Sequence, residues 1–152
     1  MTRPTVVAFA FDGPTPKVFL RFLLHSTAQR GNVIESMHVV LVQGGKRLLY
    51  SFWGYGDSQE SLVRGSGLFI SREGIAINHH FVHQKDETVT PIEPGSCIVN
   101  VYASLLGQQK DELLQSVQLD IREKETAAIN NPKAGLIYNW NPDAKQYRAE
   151  FR

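Results

Sequence analysis

The chain has a single cysteine, Cys97, among its 152 residues, so no intrachain disulfide can staple the fold. It also lacks any block of like charge. Its 16 basic and 15 acidic residues are scattered and leave a formal net charge of +1, whereas a nucleic-acid partner calls for Lys and Arg gathered into a run or stripe. Nucleic acid is therefore not an expected partner. No apolar run approaches the roughly 20 residues that a spanning helix needs, and "TVVAFAF" is cut short by "DGP". With no basic start leading into an apolar leader segment, the expectation is a cytoplasmic protein with no membrane association.

Internal repeats, low-complexity stretches and linkers are absent too, so the whole chain, 1–152, reads as one domain. At this length roughly 70% of the extended chain's surface can be buried, enough for an ordinary core without metal or disulfide support. What the chain does have is short apolar runs rich in Val, Ile, Leu, Phe and Tyr, separated about every ten residues by turn signals. These include "KVFLRFLLH", "VIESMHVVLVQ", "KRLLYSFWGY", "IAINHHFVH", "TVTPI", "CIVNVYASLL", "ELLQSVQLDI", "LIYNW" and "QYRAEF".

Alternation assigns faces. Tyr147, Ala149 and Phe151 fall opposite Arg148 and Glu150, and Cys97, Val99, Val101, Ala103 and Leu105 form one apolar row. In "ELLQSVQLDI" the period of two favours a strand through Ile121, with a short turn or helical piece over "KETAAIN". The expected fold is all-β and antiparallel. Its strands either stack as a two-sheet sandwich or curl into a partly closed barrel. "IEPGSCIVNVYASLL" resembles the Pro-Gly turn and long strand of immunoglobulin-like and fibronectin-like sandwiches, a likeness of fold that carries no functional residue.

The stretch that most resembles catalytic machinery is "GSGLFISREGIAINHHFVH", residues 65 to 83. With Gly65-Ser66-Gly67, two apolar strands and Asn78 before His80, it resembles the catalytic-histidine segment of trypsin-like serine proteases, which would make His80 a general base. The rest of that machinery is missing. The only Gly-Asp-Ser, residues 56 to 58, lies upstream and lacks the glycines of an oxyanion-hole loop. A zinc site on His79, His80 and His83 meets a distance problem, because residues four apart on a strand are separated by about 13 Å and zinc ligands bind at about 2 Å. The reading is no metal and no cofactor. Cys97 opens a β-branched run and is expected as a buried thiol rather than a nucleophile.

Surfaces for a partner remain. Trp53 and Tyr55 end an apolar strand at the loop "GDSQES", where amphipathic aromatics on a rigid sheet serve as interface anchors. The expectation is a non-catalytic module that binds a protein partner through Trp53, Tyr55 and Asp57 together with a rim carrying His79, His80 and His83. The alternative is a small hydrolase or metal-dependent enzyme using His80 with His38 or Cys97. A barrel with an aromatic-lined ligand cavity is a third option. If the C-terminal hairpin forms an edge, it would let copies of the chain pair as a homo-oligomer.

Overall fold

The structure is a computed structural model that describes residues 1–58, 61–64, 67–84 and 89–152. Gly65 and Ser66 of the protease-like segment, and Thr88 of "TVTPI", lie outside the described residues. Among the described residues eleven strands and one short helix follow in order: β1 (Val6–Asp12), β2 (Thr15–Leu24), β3 (Asn32–Gln43), β4 (Lys46–Tyr55), β5 (Val63–Arg64), β6 (Leu68–Ile70), β7 (Ile75–His83), β8 (Gly95–Leu105), β9 (Glu112–Ile121), α1 (Glu123–Ile129), β10 (Leu136–Asn141) and β11 (Gln146–Phe151).

All the strands belong to one antiparallel sheet with the path β11-β10-β1-β2-β7-β4-β3-β8-β9; β5 adds to β4 and β6 to β3. The sheet curls until it is nearly closed into a barrel. The all-β antiparallel class is therefore realised, and in its partly closed form; the single hydrogen-bonded sheet does not single out a two-layer sandwich.

The period of two explains which side chains are inside. On β2, Val18, Leu20, Phe22 and Leu24 are buried, while Lys17, Phe19 and Arg21 alternate with them on the outer face. The row Cys97, Val99, Val101 and Ala103 is fully enclosed, and it meets Val39 and Leu41 of β3 and Val117 and Leu119 of β9. The interior is filled by side chains, among them Phe22, Phe81, Leu20, Leu41, Leu119 and His79. Packing of this kind, each large side chain stabilising by about 1.5–3 kcal/mol, holds the barrel together, the single cysteine leaving no intrachain disulfide to help.

"TVTPI" departs from the expected strand. Residues 89 to 93 form neither strand nor helix, and Ile92 among them is buried. Pro91 has no N–H to offer a ladder, and Ile92 satisfies its backbone on a side chain instead: its N–H donates to Asn130 Oδ1 (3.0 Å) and its carbonyl accepts from Asn130 Nδ2 (2.8 Å). Of the turn or helical piece expected over "KETAAIN", the helix is what forms, over Glu123–Ile129. It is anchored by Glu125, a buried carboxylate that accepts hydrogen bonds from the Tyr138 hydroxyl (3.0 Å) and from the Arg122 N–H (2.9 Å).

Candidate functional site

β7 pairs with β2 on one side and β4 on the other, so its residues sit in the middle of a three-strand wall. Ile77, His79, Phe81 and His83 share the inner side, and Asn78, His80 and Val82 the outer. The three histidines are thus split between the two faces. His79 is 0% exposed and His83 only 3% exposed. They line the interior, not a rim, and only His80 reaches the outer face.

His79 lies in an aromatic box. Its ring stacks on Phe22 with centroids 4.3 Å apart, and Phe52 and Tyr55 stand 6.5 and 6.4 Å away. Nδ1 bonds the carbonyl of Ile77 at 3.1 Å, so this nitrogen carries the proton and donates; Nε2 is buried without a partner. Burial, reinforced by the neighbouring His80 and opposed by the Ile77 bond, lowers the pKa to about 4. The imidazole is therefore neutral at neutral pH. His83 packs edge-on against Tyr50, itself buried, whose phenol is pushed well above its ordinary range by desolvation.

On the outer face, β4 carries a bulge between Phe52 and Gly54. A bulge inserts one residue into the strand and re-aims those that follow. Phe52 points in and packs on Phe81, while Trp53 points out. Tyr55, expected beside Trp53 on the surface, instead turns toward Phe52 and His79. Gly54 is required there, because a Cβ would lie 2.5 Å from the carbonyl oxygen of Val63 on β5.

Cations from two other strands approach the Trp53 ring. Lys17 Nζ of β2 and the Arg64 guanidinium of β5 each sit 4.5 Å from its ring. Next to them Arg21 pairs with Asp57, and Arg21 also reaches Asn78 Oδ1 at 3.5 Å. His80 completes the face: its ring packs on Phe19 at 5.4 Å, and Nε2 donates to the Gly56 carbonyl at 2.9 Å. Burial lowers the His80 pKa, the Gly56 bond raises it, and the Lys17 charge lowers it again. A groove of about 440 Å³ continues from Trp53 past Arg64, Ser51 and Leu49 to His38 and Ser36.

Trp53, Asp57 and His80 are therefore brought together, while His79, His83 and Tyr55 are not part of that face. Lys17, Arg21 and Arg64 went unnoticed in the sequence. The outward alternation of Lys17, Phe19 and Arg21 was a usable signal for two of them, but nothing in the spacing tied Arg64 to Trp53.

The groups of the alternative enzyme reading are dispersed. His38, on the outer side of β3, stacks on Tyr102 (4.9 Å), with Nδ1 3.7 Å from Asp111 Oδ2. His80 is on β7, beyond β4. Cys97 faces the interior, and burial raises its thiol pKa to about 11. Among the described residues, no three His, Cys, Asp or Glu side chains are grouped to hold a metal ion, and no helix is long and apolar enough to cross a membrane. Comparison with protein-family models, curated proteins and solved structures finds no match to the chain.

Proposed function

We propose that the protein is a non-catalytic binding module that works by protein–protein contact, with the outer face around Trp53 as its contact surface. One observation carries this reading: the β4 bulge holds the indole outward, and Lys17 and Arg64 each pack against it beside an open groove. An aromatic anchor fixed before the partner arrives loses little side-chain entropy on binding, which is how a few residues come to dominate an interface. The cations bordering the indole favour a partner segment that places an apolar side chain in the groove and a carboxylate beside it.

The wide separation of His38, His80 and Cys97 argues against the hydrolase alternative, since a nucleophile and its base must lie within hydrogen-bond reach. The test is affinity capture from extracts of the source organism with the wild-type protein and with Trp53→Ala. The expected result is one stoichiometric partner that the wild type retains and the variant loses at unchanged circular dichroism. Equal capture by both forms, or none by either, would refute the proposal.

A further inference from the structure

Among the described residues the path of the sheet ends at β9 and β11, and neither has a strand on its outer side. The path holds nine strands, both ends included, each antiparallel to the next, so an odd number of alternating directions makes β9 and β11 run the same way. The two edges cannot close on each other in the antiparallel pattern used everywhere else in the sheet. One further strand, antiparallel to both, would close it.

The edge of β11 is prepared for such a strand. Gly135 and Arg152 exchange both of their backbone hydrogen bonds, at 3.3 and 3.0 Å. In an antiparallel ladder hydrogen-bonded and non-hydrogen-bonded pairs alternate. With the register Ile137↔Glu150 and Asn139↔Arg148, the backbone groups of Glu150 and Arg148 are spent on β10, and those of Tyr147, Ala149 and Phe151 point into the gap.

A groove of about 590 Å³ fills that gap, with Gln118 and Asp120 of β9 on one wall and Tyr147 to Ala149 of β11 on the other. Lys124 of α1 stands at one end, 5.9 Å from the Phe151 ring, and Lys145 at the other. Arg122 and Arg148 add to these cations. Against the four stand Asp120 and Glu125, with Glu150 beside Arg148 on the outer face of β11; Glu125 is already engaged by Tyr138 and the Arg122 N–H, and Glu150 by Arg152 at 3.0 Å.

We infer that this seam receives an extended acidic segment of a partner protein, which runs antiparallel to both β9 and β11 and completes the barrel as its tenth path strand. The length of β11 fits about six residues, or roughly 20 Å. Inward side chains of the segment meet Tyr147 and Ala149 and are apolar; outward ones lie near Arg148 and are acidic. The site is separate from the Trp53 face and does not depend on it.

The test uses the full chain and a synthetic eight-residue peptide of alternating valine and glutamate, with the valine–lysine peptide as its counterpart. The acidic peptide is expected to bind about tenfold more tightly at low salt and to slow hydrogen exchange at the amides of Tyr147, Ala149 and Phe151. A spin label on its N-terminus broadens the resonances of Lys124 and Phe151, and a C-terminal label broadens those of Lys145. Arg148→Glu, an exposed change, weakens binding at unchanged circular dichroism, and Trp53→Ala leaves it as it was. Equal affinity for the two peptides, no binding at millimolar concentration, a reversed label pattern, or closure of the seam by a second copy of the chain in sedimentation would each overturn the inference.

Discussion

The imidazole of His79 lies flat on the ring of Phe22, 4.3 Å between centroids and 8° from parallel, inside a barrel that gives it no solvent. A protonated ring in that place would be a buried charge with no counter-charge, which is why the pKa falls to about 4 from an ordinary 6.5.

Acid sensitivity follows. The unfolded chain takes up a proton at this histidine near pH 6.5, and the folded chain only near pH 4. The neutral ring's contribution is present in full above pH 6.5 and is lost as pH falls toward 4, by roughly 3 kcal/mol at most. His80, shifted in the same direction, adds to the trend. Urea unfolding at pH 7, 5.5 and 4 should show wild-type stability dropping more steeply than that of His79→Phe. Parallel curves would contradict the assignment.

The Cys97 thiol should be silent. With its pKa pushed up to about 11 by burial, it is neither ionised nor reachable at pH 8. Titration with a chromogenic disulfide is expected to give no fast-reacting thiol in the native protein and one after denaturation. A fast reaction in the native state would restore Cys97 as a candidate nucleophile.

Glu125 and Tyr138 should be energetically coupled. Their hydrogen bond fastens α1 to β10 with a buried charged acceptor, worth about 1.5–3 kcal/mol in such settings. Tyr138→Phe and Glu125→Gln are each expected to destabilise, with a double-mutant coupling of about 1 kcal/mol or more. Additive losses would mean that the bond contributes nothing of its own.

Trp53 should matter little for stability. It lies outside the core, whereas Phe81 is fully enclosed. Trp53→Ala is expected to cost about 1 kcal/mol or less and Phe81→Ala about 3–5 kcal/mol in denaturant unfolding. Comparable costs would make Trp53 a structural plug and not a contact residue.

Much of the fold was legible because one rule, alternation, governs it. The inner row of β8, the two faces of β11 and the end of β9 at Ile121 all follow from period and turn residues. The same rule held the answer for the histidines: His79 and His83 share parity with Ile77 and Phe81, the inward positions of β7. It was missed because an imidazole is polar enough to be expected at a border. Neutral and stacked on aromatic rings, it is tolerated inside. Tyr55 was not legible, since one inserted residue at Phe52/Gly54 reverses the facing of all that follows, and no composition signal marks a bulge. Contacts such as Arg64 on Trp53 depend on where a short distant strand lands, and that is set by tertiary packing.

The most direct test of the binding reading is to add the captured partner to isotope-labelled protein and follow every backbone amide and the two indole N–H resonances. The account predicts shifts concentrated at Trp53, Lys17, Arg64 and the groove toward His38, with Trp140 still. Shifts centred on Cys97 and the interior, or spread evenly over the barrel, would contradict it.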